Sequence, residues 1–349
     1  MLAVWSVTTM AARQPDIQKH VLYYRSVDQH GDSLTLSGLV SLPANNAPKG
    51  VVFVPHYTIS AKSEAPSVKP TSEAKYLGEE YVLIMPDYIG YGVTEDRIHP
   101  YLHGELTARN CVDMIIAAQP MLDSMQLNIP IDSIYIVGYS QGGASAIWTL
   151  KLLEEQYSDR IHVKRCFIGA GPYDVAATYD EAIRTNRVGS PLVIPMLVIG
   201  TGEAYDVPID RSRFFTPAME KKYVKYIRDK EYGIVTIFFK TLNHKVSHWL
   251  TPAALDKNHP DTQRFYRLLE RSSLVGDTFC SDWTPQAPLY VFHSTTDDIV
   301  TFRCAQNLQR CYPNQPNITY DFDDYGSHLR SSYTFYDKVA NMLNKQEYK

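Results

Sequence analysis

The chain has 349 residues, 44% of them hydrophobic, which is enough to bury a core larger than that of one average domain. Its formal charge at pH 7 is only −4 and its lysines and arginines are scattered, which excludes the basic surface of a nucleic-acid-binding protein and a polybasic membrane contact. No stretch reaches the roughly 18 to 20 apolar residues that cross a bilayer, so we expect no integral membrane segment.

Apolar runs typical of buried strands alternate along the chain with segments of helical periodicity. The predicted strands are at 51–54, 81–85, 133–137, 163–168, 288–293 and 317–322. The predicted helices are at about 105–119, 141–157, 302–310 and 332–344. This alternation predicts an α/β fold, in which helices cover both faces of a mostly parallel twisted sheet and functional residues lie at the carboxyl ends of its strands.

More than a hundred residues separate the predicted strand at 163–168 from the one at 288–293, far more than neighbouring strands need. We interpret residues 173–285 as an inserted cap, and residues 1–172 and 286–349 as the core. The cap is rich in aromatic side chains, and we expect most of them to form its own core and a few to line an apolar substrate pocket. They are Phe214, Phe215, Tyr223, Tyr226, Tyr232, Phe238, Phe239, Trp249, Phe265 and Tyr266.

The predicted strand at 133–137 runs into a G-x-S-x-G turn centred on Ser140, and a predicted helix follows at once. In a sharp strand-to-helix elbow the neighbouring backbone comes so close that Gly138 and Gly142 are needed on either side of the serine. The motif by itself is common, but this context favours a nucleophilic serine over a structural Ser-Gly turn.

A serine hydroxyl becomes a good nucleophile only when a base takes its proton and an acid orients that base. The predicted strand at 288–293 leads into a polar loop that contains Asp297 and Asp298. We take Asp297 as the acid because it lies three residues before Val300, as in the H-G-x-x-D-x-x-V pattern of such loops, whose glycine is Ser294 here. The alternatives are that the neighbouring Asp298 is the acid, or that the loop is solvated and neither aspartate has a role.

The base should be a histidine in a loop after the last strand, where its ring can reach the serine. His328 fits that position, because it follows the predicted strand at 317–322, and Gly326 lets the loop turn tightly. The alternative is an exposed loop histidine without a role. Ser140, Asp297 and His328 each follow a different predicted strand, so all three are expected at the same edge of the sheet.

The tetrahedral intermediate of acyl transfer needs backbone N–H donors. The first is expected from Gln141, the residue after the serine. The second is expected from the loop after the strand at 51–54, where Thr58 is the first choice and Tyr57 the next. The hydroxyl group of Tyr57 is a further candidate donor, because His56 is followed here by Tyr57 where related enzymes often have glycine.

The remaining candidate residues predict neither a metal site nor a disulfide. His244 and His248 are one helical turn apart, but no third ligand is near them in sequence. Of the five cysteines, Cys304 and Cys311 share a face of a predicted helix at a separation of about 10 Å along its axis, too far for a disulfide bond.

The order Ser140, Asp297, His328 belongs to the α/β-hydrolases, and the chain resembles their secretory lipase and carboxylesterase group. The strand and turn at 81–94 are similar to that group's D-x-x-G-x-G-x-S/T turn, and His99-Pro100-Tyr101-Leu102 and a hairpin at 23–43 are further shared features. The likeness covers about residues 20–172 and 286–349. It implies that Asp87 and His99 belong to a structural turn.

The resemblance implies a serine hydrolase that cleaves carboxylic esters through an acyl-enzyme and needs no cofactor or metal. Its partner would be a small-molecule ester with an apolar part, and the oligomeric state stays open. A peptidase or carbohydrate deacetylase of the same fold is the alternative, and a non-catalytic binding protein on this scaffold is a third reading. The resemblance suggests secretion or the cell envelope. The first ten residues do not form a clear signal peptide, which leaves the cytoplasm open.

Overall fold

A computed structural model describes residues 15–45, 47–127, 129–240 and 243–346. Its strands are β1 Ile17–Val27, β2 Ser33–Pro43, β3 Val51–Phe53, β4 Val82–Pro86, β5 Ser133–Tyr139, β6 His162–Gly169, β7 Leu289–Ser294 and β8 Ile318–Asp323. They form one sheet in the order β1-β2-β4-β3-β5-β6-β7-β8. The pairs from β4 to β8 are parallel, and β1 and β2 add an antiparallel hairpin at one edge.

The helices lie mainly in two groups, those that cover the sheet and those between β6 and β7. Those outside that interval are α1 Ala74–Leu77, α2 Gly104–Ser124, α3 Gln141–Gln156, α13 Arg303–Cys311 and α14 His328–Gln346. Those inside it are α4 Val175–Thr185, α5 Val193–Ala204, α6 Arg211–Phe214, α7 Pro217–Met219, α8 Lys225–Asp229, α9 Ile234–Lys240, α10 Val246–Trp249, α11 Pro252–Leu255 and α12 Pro260–Arg271. We call residues 170–288, between the two strands, the insertion.

The central strands are buried on both faces, which explains why their sequences are continuous apolar runs. One apolar cluster lies between the sheet and helices α2, α3 and α13, and a second lies between the other face and helices α1 and α14. A third cluster lies mostly within the insertion and includes Phe214, Phe215, Trp249 and Phe265. The α/β fold with a mostly parallel sheet and helices on both faces is confirmed.

The predicted strands and core helices are present, and two helices are longer than expected. Helix α2 continues through Pro120 to Ser124, because Leu122 on its last turn is fully buried against the sheet and this packing outweighs the loss of one N–H donor. Helix α14 begins at His328, four residues before the predicted start, because Asp298 accepts a hydrogen bond from the N–H of His328 and caps that end.

One disulfide bond joins Cys280, at the end of the insertion, to Cys311 on α13. Their Cα atoms are 5.4 Å apart. Cys304 is a free, buried thiol, as are Cys111 and Cys166. The pairing was not predicted, because the partner of Cys311 comes from 31 residues earlier in the chain. In the part of the chain that the structure describes, no helix is both long and apolar enough to cross a membrane.

Lys230 attaches the insertion to the turn that follows β4. Its ammonium group is buried and donates hydrogen bonds to the backbone carbonyls of Gly90, Glu95 and Arg97. The ring of Tyr91 lies 5.1 Å from the same nitrogen, in cation–π range. This cation therefore satisfies three carbonyls at the boundary between the insertion and the rest of the fold.

Replacing Lys230 with methionine keeps most of the apolar stem but leaves those carbonyls without their donor. We expect the free energy of unfolding in urea to fall by roughly 1 to 3 kcal/mol, the cost of unsatisfied buried polar groups. The matched control is Lys69→Met, at an exposed lysine, which should change it by less than about 0.5 kcal/mol. Equal effects of the two substitutions would contradict this role of Lys230.

Candidate active site

Ser140 occupies a sharp elbow between β5 and α3. Its backbone has φ 59° and ψ −124°, an uncommon conformation for a residue with a side chain. A Cβ atom on Gly138 would lie 2.1 Å from the carbonyl oxygen of Gly142, and one on Gly142 would lie 2.1 Å from the carbonyl oxygen of Pro55. The two glycines are therefore required by close backbone packing, as the motif predicts.

The imidazole of His328 lies between Ser140 and Asp297. Its Nε2 is 2.8 Å from the hydroxyl oxygen of Ser140, and its Nδ1 is 2.6 Å from Oδ2 of Asp297. The ring also packs against Tyr139, whose hydroxyl group donates to the His328 carbonyl oxygen. Both ring nitrogens thus have the partners that fix the orientation and the tautomer of the ring.

Asp297 is a buried carboxylate whose oxygens are satisfied. Its Oδ1 accepts hydrogen bonds from the N–H groups of Ile299 and Val300, each 2.9 Å long. Burial by itself raises the pKa of this carboxyl group, but the adjacent His328 and the N–H donors outweigh it and hold the pKa below its usual value. Asp297 is therefore ionised beside the imidazole, whereas the carboxylate of Asp298 contacts the backbone N–H of His328.

This geometry can move a proton from Ser140 to His328. As the hydroxyl oxygen attacks an electrophile, Nε2 can accept its proton, and the negative charge of Asp297 stabilises the imidazolium that forms. The arrangement contains a nucleophile, a base and an orienting acid in mutual hydrogen-bond contact. It is suited to acyl transfer.

The three candidate oxyanion residues lie around the elbow. Gln141 is the first residue of α3, where the N–H groups have no acceptor within the helix. The loop after β3 passes directly beside the elbow, since Gly142 packs on the backbone of Pro55. Thr58 in this loop is buried, and its hydroxyl group is 2.8 Å from that of Tyr101.

Tyr57 has a different environment from Thr58. Tyr57 packs against the small apolar cluster formed by Ile59, Ala65 and Tyr91, and its hydroxyl group is hydrogen-bonded to Ser72. Burial raises the pKa of Tyr57 to about 12, so the phenol is neutral at ordinary pH.

Asp87 and His99, which the sequence comparison assigns to a structural turn, are buried there. The carboxylate of Asp87 accepts hydrogen bonds from the hydroxyl group of Ser37 and the N–H of Ser67. His99 contacts the carbonyl oxygen of Ile89 and the side chain of Gln141. The contact with Gln141 joins residues 42 positions apart in the chain, and nothing in the sequence pattern indicates it.

An apolar cavity that is partly open to solvent lies beside Ser140, and its empty space, open solvent included, is about 540 Å³. Its walls are apolar and come from both the insertion and the core. They include Tyr101, Val175, Tyr179, Ala182, Ile194, Leu197, Ile299 and Val300. An apolar group of a ligand bound beside Ser140 would fit here.

The aromatic residues named for the cap form its own core, as expected for most of them, but the expectation that a few line this cavity is wrong for those whose side chains the structure describes. The aromatic residue of the insertion that does line it is Tyr179. Phe214, Phe215, Trp249 and Phe265 are buried in the insertion's own cluster, and Tyr226, Tyr232 and Tyr266 pack against that cluster. These rings are buried where the short helices pack against one another. Mainly aliphatic residues therefore line the cavity. Tyr223, Phe238 and Phe239 lie outside the described side chains.

Among the described residues, no group of three or more histidine, cysteine or carboxylate side chains is arranged to hold a metal ion. His244 donates through Nδ1 to the carbonyl oxygen of Val188, and His248 is exposed.

Comparisons with known proteins agree with the fold. The structure is similar to that of LipA from Xanthomonas oryzae, a rice cell wall degrading esterase, with a TM-score of 0.79 at 20% identity over 95% of this chain and 91% of that chain. It is also similar to Candida antarctica lipase A in its closed state, with a TM-score of 0.64 at 17% identity over 89% and 73%. These neighbours and the sheet order define an α/β-hydrolase fold.

The family profile of secretory lipases matches residues 67–341, so the chain belongs to the secretory lipase family. No curated protein matches the sequence significantly. The family and the structural neighbours together support a hydrolase of ester bonds.

The two adjacent aspartates offer a matched test of the site. In Asp297→Asn the imidazole loses its charged partner, and we expect Ser140 to react with a fluorophosphonate probe on the order of a hundredfold more slowly or worse. In Asp298→Asn an amide oxygen can still accept a hydrogen bond from the N–H of His328, so the labelling rate should fall much less. Labelling rates measured on folded protein decide this, and a larger loss in Asp298→Asn would contradict the arrangement.

Proposed function

We propose that the protein is a serine hydrolase that cleaves carboxylic esters through an acyl-enzyme. The observation that carries this proposal is the His328 ring, which is hydrogen-bonded at one nitrogen to the Ser140 hydroxyl group and at the other to the buried carboxylate of Asp297. A buried ionised acid, an oriented imidazole and a strained serine elbow are the components that acyl transfer requires.

In the proposed mechanism, Ser140 attacks the ester carbonyl carbon while His328 takes the hydroxyl proton. The N–H groups of Gln141 and Thr58 stabilise the oxyanion, and Tyr57 is the alternative second donor. His328 then gives its proton to the leaving alcohol, and the acyl-enzyme forms. Water attacks this intermediate while His328 takes one of its protons. As the bond to the Ser140 oxygen breaks and the carboxylic acid leaves, His328 gives that proton to the oxygen and restores the free hydroxyl group.

The cavity beside Ser140 supports an apolar acyl group as the part of the substrate bound there. Its lining carries few polar atoms besides the hydroxyl groups of Ser140, Thr178 and two tyrosines, so it offers little to a charged or sugar-like acyl portion. This favours an ester of an aliphatic or aromatic acid over an aminoacyl peptide, which would bring an ammonium group or further amides into the cavity.

We further propose that residues 173–285 act as a cap and that residues 1–172 and 286–349 form the hydrolase core. The insertion supplies its own apolar cluster and most of the cavity wall. Export from the cell is proposed from membership of the secretory lipase family.

The first test of this function is the dependence of the reaction on Ser140. The wild-type protein should become labelled by a fluorophosphonate and should hydrolyse p-nitrophenyl butyrate, whereas Ser140→Ala should do neither. The substitution removes one oxygen atom from the elbow and should leave the unfolding transition cooperative. Ester hydrolysis that persists in Ser140→Ala would refute the proposal.

A substrate panel separates the ester hydrolase from the other readings. We expect p-nitrophenyl esters with longer aliphatic acyl chains to be cleaved with higher kcat/KM than p-nitrophenyl acetate and than an aminoacyl p-nitroanilide. The reason is that burial of the additional methylene groups in the apolar cavity is favourable. A preference for the anilide would favour a peptidase, and a preference for acetylated sugars would favour a deacetylase. No turnover of any member by folded protein would favour the binding protein.

The cavity wall provides a test of acyl binding. Ala182→Phe places a ring in the cavity, so kcat/KM for an octanoyl ester should fall at least about tenfold, and that for the acetyl ester should change little. Both values are measured on the same preparation, so their ratio does not depend on the fraction of enzyme that is folded. An unchanged ratio would show that the acyl chain binds elsewhere.

A further inference from the structure

One short segment, His99-Pro100-Tyr101, touches two of the three candidate oxyanion residues, Gln141 and Thr58. His99 is 2.7 Å from the side-chain nitrogen of Gln141, and the hydroxyl group of Tyr101 is 2.8 Å from that of Thr58. These four side chains are almost fully buried, so no water replaces either contact at low cost. Two donors from distant parts of the chain are thus held by one turn.

The hydrogen bonds of His99 have a defined direction. The carbonyl oxygen of Ile89 can only accept, so Nδ1 of His99 carries the proton, 2.7 Å from that oxygen. The lone pair on Nε2 then accepts from the amide nitrogen of Gln141. Burial lowers the pKa of His99 to about 3, so the ring stays neutral and keeps this lone pair at every pH at which the enzyme would work.

Thr58 depends on Tyr101 more than Gln141 depends on His99. Gln141 begins a long helix, whereas Thr58 lies in a stretch without regular secondary structure between β3 and a short 3-10 turn at Lys62–Glu64. Its buried hydroxyl group is therefore a main means of fixing the adjacent N–H. The preorganisation of such donors is what makes an oxyanion hole effective.

The segment itself is rigidly seated. The ring of His99 packs against Tyr88 and Tyr91, with centroid distances of 5.7 and 5.5 Å. Helix α5 of the insertion lies against its backbone at Gly200, where a Cβ atom would be 2.6 Å from the nitrogen of Tyr101. Aromatic rings thus pack against the side chain of His99, and helix α5 of the insertion packs against the backbone of the turn.

We propose that His99 and Tyr101 are positioning residues that hold the N–H groups of Gln141 and Thr58 at the oxyanion of the tetrahedral intermediate. The proposal rests on the serine hydrolase function argued above. Neither side chain takes part in proton transfer. Tyr101 also borders the acyl cavity, so its ring and its hydroxyl group have separable roles.

The hydrogen bond between the hydroxyl groups of Tyr101 and Thr58 can be removed by substituting either residue. Tyr101→Phe and Thr58→Val each keep the backbone N–H groups, and we expect each to lower kcat by roughly 5- to 30-fold, less than the loss of a whole oxyanion donor. KM should stay within about twofold, because the acyl cavity keeps its shape. Affinity for an aryl trifluoromethyl ketone, which forms a tetrahedral oxyanion with the serine, should fall by the same factor as kcat/KM.

Two further variants make the result specific. The double variant should lose no more than the worse single variant, because both substitutions break one hydrogen bond. Thr58→Ser, which restores a hydroxyl group, should recover most of the kcat lost in Thr58→Val. For the His99 contact, Gln141→Leu keeps the N–H and removes the amide, and it should likewise lower kcat without raising KM.

The control for a lost buried phenol is Tyr312→Phe. The hydroxyl group of Tyr312 donates to the carbonyl oxygen of Trp283, away from the turn. This variant should lose comparable stability in urea and keep wild-type kcat. Comparing kcat of this variant with that of Tyr101→Phe separates a positioning effect from general destabilisation.

Full kcat in Tyr101→Phe, multiplicative losses in the double variant, or a change in KM alone would overturn the positioning role. In each of these cases the reaction would still depend on Ser140, so the proposed function would stand. Ester hydrolysis that persists in Ser140→Ala would instead contradict the proposed serine hydrolase function.

Discussion

The close backbone packing at the Ser140 elbow is the constraint on which the rest of the site depends. Gly142 packs against the carbonyl oxygen of Pro55, and the N–H of Ser140 donates to that of Gly169, so the ends of β3, β5 and β6 are held together at one point. That point places the loop with Thr58 beside the serine. It also sets the start of α3, whose first N–H groups face the same space. The positions of the candidate nucleophile and of the candidate oxyanion donors thus follow from a single turn.

The second constraint is the buried charge of Asp297. A carboxylate inside the fold is tolerated because two N–H groups and the imidazole of His328 satisfy it. The insertion is joined to this same loop, since the N–H of Gly189 donates to the carbonyl oxygen of Asp298 at 2.7 Å. The insertion, which supplies most of the wall of the cavity beside Ser140, and the loop that carries Asp297 are therefore mechanically connected.

Much of the fold, and the order of the triad candidates, could be predicted from the sequence because these features are local. Strand periodicity, the G-x-S-x-G turn and loops that follow strands are read from a few adjacent residues. The contacts of His99 with Gln141 and of Tyr101 with Thr58, and the Cys280–Cys311 bond, join distant segments and leave no periodic signal. The cavity lining was predicted poorly for the same reason. Which faces of α4 and α5 meet Ser140 depends on how the short helices of the insertion pack.

The central claim is that Ser140 carries the acyl group between attack and hydrolysis. The most direct measurement is the partition of products in aqueous methanol, for butyrate esters with several different leaving alcohols. A common acyl-enzyme predicts one ratio of methyl butyrate to butyric acid for all of them, with no product in Ser140→Ala. A ratio that changes with the leaving alcohol would contradict the account, because the acceptor would then attack before that alcohol has left.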